Sequence, residues 1–255
     1  MAAMIRGAAL AVVLVVAACA GPPAPPAEAP AGEAPPIAGP LARPEDPFRP
    51  LRAPAPAPGP LGARPLGRYL AVYHRPGAAA PGFVLDARNP TGQLPPMLVR
   101  EVRPGGWLEV LLPLRPNGTT GWVRAEEVRL VEPRFRIEVD LSRRALVLER
   151  DGRVLRRLRV GIGRPETPTP TGRFYVWVKV PQRNPRGPYG SLALGLSGFS
   201  EVLDRWPGEG RLAIHGTADP ADRGARVSAG CIRVFNPDLR ALRRVPLGTP
   251  VLIHR

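Results

Sequence analysis

From Gly21 to Pro65 the chain is mostly Pro, Ala and Gly, with few large apolar residues and no periodicity. Such a stretch cannot bury enough surface to offset the entropy of ordering it, so it builds no core. Folding is thereby confined to the residues that follow, out of 255 in all. Extended polyproline II at about 3.1 Å per residue would let the stretch reach on the order of 100 Å. A disordered linker whose length matters little is equally compatible with the residues.

Ahead of the linker, Met1 to Ala18 carries Arg6 and then the apolar run Ala8 to Ala18. This reads as a secretory signal over residues 1–18, the run being about half of the roughly 20 residues that cross a bilayer. Val16-Ala17-Ala18-Cys19 resembles the lipobox of bacterial lipoproteins. The resemblance implies cleavage before Cys19, lipidation of Cys19, and a Pro/Ala-rich tether over 19–65. Ordinary cleavage at an Ala-rich site, with Cys19 incidental, is the alternative.

The net charge of +15 comes from 36 basic residues, of which Lys179 is the one lysine. The arginines are scattered and aromatics make up 5% of the chain, so nucleic-acid binding is not expected. Long-range attraction to anionic cell-wall polymers or lipid headgroups is the better electrostatic reading.

Residues 66–132 show short apolar alternations divided by turn formers, as in Tyr69 to Tyr73 and Trp107 to Leu112. These predict short strands of a small β-barrel. Asn117-Gly118, followed by Gly121-Trp122-Val123, resembles the closing strands of bacterial SH3-like domains, and Trp107 and Trp122 are assigned to its core.

Beyond Arg134 the strands lengthen. Phe135, Ile137, Val139 and Leu141 alternate with polar residues, Asp151-Gly152 marks a hairpin, and Phe174, Val176, Val178 and Val180 repeat the period of two. Asn236 as N-cap, Pro237 at the first helical position, Leu239 and Leu242 on one face and Pro246 as terminator predict one short helix. A final strand spans Pro250 to Ile253. The expectation is a mostly β chain: the small barrel, then a mostly antiparallel β-sandwich with one short helix over 134–255.

Cys19 and Cys231 are the two cysteines of the chain. A thiol in an exported domain is liable to oxidation, and nucleophilic catalysis with a histidine base is one reason to keep it. A buried, inert thiol is the bland alternative. Ser228, Ala229 and Gly230 argue against it, because small neighbours leave sulfur approachable. A zinc site would need two ligands besides Cys231 and His215, and neither His74 nor His254 has ligand spacing. Gly161-Ile162-Gly163 lacks the Gly-Lys ending of a phosphate loop. No metal or cofactor is expected.

Ile214-His215-Gly216-Thr217 and Ser228-Ala229-Gly230-Cys231-Ile232-Arg233 are similar, in order and spacing, to the histidine and cysteine segments of L,D-transpeptidases of the YkuD family. Val160 to Gly163 with Thr167 to Phe174, and Asn184-Pro185, extend the resemblance over roughly 134–255. It implies Cys231 as nucleophile, His215 as base and the Gly216 carbonyl as the group that fixes the imidazole. Ser228 is assigned to the catalytic set, hydrogen-bonding across the site or simply stabilising a turn. Backbone N–H groups at Gly230 and Cys231 are candidate oxyanion donors, and Arg233 a candidate for a stem-peptide carboxylate or a solvated strand residue. Gly230, Thr217, Asn184 and Tyr189 join Arg233 as expected substrate contacts. Ala229 departs from the family, many members of which carry histidine or arginine there.

The implied activity is cross-linking of third residues in peptidoglycan stem peptides through a cysteine thioester, on the outer face of the cytoplasmic membrane. Water as acceptor would make the chain an L,D-carboxypeptidase, and a protein amine would make it a wall-anchoring enzyme. A non-catalytic wall-binding lipoprotein is the reading from another class.

Overall fold

A computed structural model describes residues 61–203 and 209–255. The expected signal, Cys19 and the linker up to residue 60 lie outside the described residues. Among those described, no helix is long and apolar enough to cross a membrane.

Seven short strands come first: β1 (Gly62–Pro65), β2 (Tyr69–Val72), β3 (Phe83–Asp86), β4 (Met97–Arg103), β5 (Trp107–Leu111), β6 (Thr120–Arg124) and β7 (Val128–Val131). Five pair antiparallel in the order β6-β5-β4-β1-β7, and β2–β3 forms a ribbon joined to β6 by a bridge between Tyr73 and Trp122. The alternation predicted for Tyr69 to Tyr73 is realised by Leu70 and Val72, both 1% exposed, with Leu108, Val110 and Val123 beside them. Trp107 and Trp122 are buried too. Tyr73 stands edge-on to Trp107 at 5.0 Å, and the Arg124 guanidinium covers the ring at 3.9 Å.

The described structure corrects one boundary. Gly62 to Pro65, assigned above to the linker, form β1, which lies between β4 and β7. Their composition is poor in strand formers, but position overrides propensity. Ala63 is fully buried, and the strand's two edges pair with Met97–Leu98 and with Val128–Val131.

The second sheet has nine strands: β8 (Phe135–Asp140), β9 (Ala145–Arg150), β10 (Arg153–Gly163), β11 (Gly172–Pro181), β12 (Leu192–Phe199), β13 (Arg211–Thr217), β14 (Arg226–Ser228), β15 (Ile232–Phe235) and β16 (Pro250–His254). Their order is β14-β10-β15-β13-β12-β11-β16-β8-β9, and a β9–β10 pairing closes the sheet on itself. Strand β10 makes that possible by changing partners along its length. Arg153 to Arg159 pair with β9, Val160 and Gly161 with β15, and Ile162 and Gly163 with β14. The β9–β10 turn is the predicted Asp151-Gly152, both residues at positive φ as a type I′ hairpin requires. Most pairings are antiparallel, but β10–β14, β13–β15 and β16–β8 are parallel. Ile137, Val139, Leu146, Leu148, Val160, Leu194, Ile214 and Ile232 fill the interior.

Among the described residues the one α-helix, α1 (Asn236–Leu239), runs into a 3-10 turn, Arg240–Arg244, and Leu239 and Leu242 are fully buried as their spacing predicts. Its cap differs from the expectation. Phe235 occupies the N-cap position, and Asn236 sends its side chain elsewhere.

Polar contacts join the two sheets. Asn117 Nδ2 donates to Phe199 O while Asn117 Oδ1 accepts from Phe199 N, each at 2.8 Å. Arg115 donates to the carbonyls of Ser200, Leu203 and Glu209. Tyr175 of β11 packs into the first sheet's apolar cluster, and the Arg211 guanidinium lies 3.7 Å from the centre of the Trp177 ring. Burial pulls the Arg211 pKa down to about 10.

Because β1 pairs along both edges, with β4 and with β7, a chain beginning at residue 66 should be less stable than one beginning at residue 61 by roughly 3 kcal/mol, about 6–12 °C in Tm, by calorimetry. Equal melting temperatures would show β1 to be dispensable.

Candidate active site

The site is built on the parallel pair β13–β15. Their register sets Ile214 beside Ile232 and His215 beside Arg233. Cys231 stands directly before β15, two residues ahead of Arg233, and an extended chain with a period of two would return its side chain toward the face carrying His215. Both are buried: His215 is fully covered and Cys231 is 6% exposed. The sequence placed them 16 residues apart, and parallel pairing brings their segments side by side.

The imidazole has a defined tautomer. His215 Nδ1 lies 2.9 Å from the Gly216 carbonyl oxygen, an obligate acceptor, so in the neutral ring Nδ1 carries the hydrogen and Nε2 the lone pair. This is the carbonyl the resemblance implied. Gly216 N in turn donates to Tyr189 O at 2.9 Å, and the Tyr189 ring stands edge-on to the imidazole, 5.2 Å between centres. A thiol of ordinary pKa near 8.5 is mostly protonated at neutral pH, and a ring held this way can accept its proton.

The turn before Cys231 is held from inside. Ser228, fully buried, donates its hydroxyl to Cys231 O at 2.5 Å and accepts from Gly230 N at 3.1 Å. Gly230 sits at φ +112°, a conformation that side-chain-bearing residues rarely adopt. The Thr-Pro loop after β10 braces the same turn, Thr167 Oγ1 and Arg164 N both donating to Ser228 O. Ser228 is therefore a turn-former. The Gly230 N–H, expected to face substrate as an oxyanion donor, points to Ser228 instead. Ala229, the departure from the family pattern, is half-buried within the turn.

Two expected substrate contacts are engaged with a residue that the sequence reading did not single out. Asp222, in the 3-10 turn Pro220–Asp222, is 5% exposed. Thr217 Oγ1 donates to its Oδ2 at 2.6 Å, and Arg233 Nη1 pairs with the same oxygen at 3.2 Å. Thr217 follows His215 by two residues and Arg233 follows Cys231 by two, so Asp222 straps the two strands just past the site. No spacing rule marks that aspartate in advance. Arg233 thus has an internal carboxylate partner, neither a solvated strand residue nor a guanidinium presented to solvent.

Asn184 is exposed, and its Oδ1 accepts from Arg186 N within its own turn. Tyr189, by contrast, is 6% exposed and meets the site through His215. Among the described residues, no group of three His, Cys, Asp or Glu side chains is placed to hold a metal ion.

Asp222 and Arg233 are 7% and 18% exposed as side chains, so removing one strands the other's charge. Asp222→Ala is expected to cost about 3–5 kcal/mol in urea unfolding. Asp238→Ala, which breaks the more exposed pair with Arg223, should cost under about 1 kcal/mol. Ser228→Ala leaves two buried groups unsatisfied and should cost about 1–3 kcal/mol.

The pattern of YkuD, the L,D-transpeptidase catalytic domain, matches residues 134–253. The YkuD protein of Bacillus subtilis (strain 168) is 38% identical over 122 residues, covering 48% of this chain and 66% of that protein. The YkuD protein of Bacillus licheniformis is 32% identical over 176 residues, covering 62% of this chain and 99% of the relative. Among solved structures, the E. faecium L,D-transpeptidase catalytic domain acylated by ertapenem is 29% identical, covers 49% of this chain and 99% of its own, and has a TM-score of 0.37. L,D-transpeptidase 3 from Mycobacterium tuberculosis, with a faropenem-derived adduct, is 17% identical, covers 63% and 72%, and has a TM-score of 0.41. On the sequence matches, and above all the near-complete coverage of the B. licheniformis relative, the chain belongs to the YkuD family of L,D-transpeptidases.

Proposed function

We propose that the chain is a peptidoglycan L,D-transpeptidase in which Cys231 forms a thioester with the third residue of a stem tetrapeptide. The observation that carries this is the His215 ring, held at Nδ1 by the Gly216 carbonyl, on a strand whose parallel partner begins directly after Cys231. His215 Nε2 takes the thiol proton, and the thiolate attacks the carbonyl between the third residue and D-alanine. The proton passes to the departing amine and D-alanine leaves. A side-chain amine of a second stem then attacks the thioester, losing its proton to His215, and the thiol is restored. The cleaved amide supplies the free energy, without nucleotide or metal. In this reading the backbone N–H of Cys231, on the nucleophile itself, donates to the oxyanion.

The remaining expectations fit this reading. An export signal over residues 1–18, lipid on Cys19 and the Pro/Ala-rich tether would place the enzyme at the outer face of the cytoplasmic membrane, within reach of the wall. The first sheet, read as an SH3-like domain over 66–132, would bind wall material or position the catalytic residues. Its contacts through Arg115 and Asn117 support the second role.

Incubation with a defined tetrapeptide tests the acceptor. A cross-linked dimer with release of D-alanine is expected; tripeptide alone would indicate water as acceptor, and unchanged substrate would sink the proposal. Carbapenem exposure tests the nucleophile, because the strained lactam carbonyl acylates a reactive thiol. Mass spectrometry should show one adduct on the wild type and none on Cys231→Ala. An equal adduct on both would place the nucleophile elsewhere.

A further inference from the structure

The sequence signals around Asn236 read as a helix cap, yet its side chain performs no capping. Oδ1 accepts from Ser191 N at 3.2 Å and Nδ2 donates to Pro185 O at 2.7 Å. One amide side chain thus grips both ends of the segment 185–191. Within it, Gly187 N donates to Asn184 O and Gly190 N to Gly187 O, making a compact chain of turns.

The same Oδ1 also lies against the backbone of Gly216, the residue after the histidine. A Cβ added to Gly216 would lie 2.3 Å from Asn236 Oδ1, and one added to Gly190 would lie 2.2 Å from it. Two glycines are needed because two backbones and an amide share this space, and the Cα of Gly190 would come within 2.9 Å of that same Gly216 Cβ. Gly216 is the residue whose carbonyl holds His215 Nδ1 and whose N–H is held by Tyr189 O, inside the gripped segment. Tyr189 also lays its ring against the imidazole. A continuous set of contacts therefore runs from Asn236 through Ser191, Gly190 and Tyr189 to the Gly216 peptide and the His215 ring.

We infer that Asn236 is a positioning residue, which orients the His215 imidazole by clamping segment 185–191 against the Gly216 peptide. It touches neither thiol nor substrate; it acts through His215. The inference rests on reading His215 as the base. Both functions of the amide are used, one donor and one acceptor, so Asp retains half of the clamp and Ala none. Gln is one methylene too long for a site bounded by two glycine backbones.

The test compares full-length wild type, Asn236→Asp and Asn236→Ala by three measurements. On a defined tetrapeptide, Asn236→Ala should lower kcat by about 10–100-fold, the scale of a misplaced catalytic group, with KM changed less than about threefold; Asn236→Asp should fall between. In hydrogen exchange, the Ser191 and Gly216 amides should exchange faster in Asn236→Ala while those of β11 and β16 keep their protection. In ¹⁵N NMR, with the His215 resonances identified through His215→Gln, the wild-type ring should be protonated at Nδ1 and the Asn236→Ala ring should mix both tautomers. Unchanged tautomer and kcat in Asn236→Ala would overturn the inference. Loss of protection throughout the second sheet in both variants would overturn it as well, reducing Asn236 to a folding role. Should wild type leave the tetrapeptide unchanged, the proposed activity fails, while the exchange and NMR measurements still decide the role of Asn236.

Discussion

The parallel pairing of β13 with β15 is the constraint on which the rest of the site depends. Backbone hydrogen bonds hold Ile214 level with Ile232 and His215 level with Arg233. A slip of one residue would turn Arg233 to the opposite face from the imidazole, since side chains alternate with a period of two. Parallel strands cannot be joined by a tight turn, so the chain must cross over between them. Residues 218–231 make that crossover, and they carry the Asp222 turn, β14 and the Ser228–Cys231 turn.

Buried polar groups around the pair are paired with one another. Ser228 satisfies Gly230 N and Cys231 O, Thr167 and Arg164 satisfy Ser228 O, and Asp222 collects Thr217 and Arg233. In a low-dielectric interior each of these is costly to leave unmade, so together they hold the turn to one geometry. Preorganisation of this kind lets a histidine fully covered by protein keep a single tautomer. Asn236 extends it to the segment carrying Tyr189, and Arg115 and Asn117 tie the first sheet to the strand ends near Phe199 and Ser200.

Much of the fold was legible where structure is local. The alternation in Phe135 to Leu141, the Asp151-Gly152 turn and the buried Leu239 and Leu242 all follow from periodicity and turn chemistry. Strand β12, Leu192–Phe199, was not legible, because it is buried on every residue and so shows no alternation. β1 was hidden by its small residues and by the Pro-rich stretch running into it. Asn236 carried a true signal for a helix start and a misleading one for its own side chain, since a capping preference says nothing of competing partners across the fold.

The sequence by itself singled out the residues proposed to carry the chemistry: a cysteine and a histidine in two short segments whose flanking glycines and serine suit a tight turn. Those are local properties of the chain. Tertiary structure alone decided that the segments of His215 and Cys231 lie side by side, that Arg233 and Thr217 meet Asp222, that Gly230 N–H turns inward, and that Asn236 clamps the segment beside the histidine. Each is a contact between residues far apart along the chain or a choice among competing hydrogen-bond partners. Only the packed interior, where unpaired polar groups are expensive, selects among them.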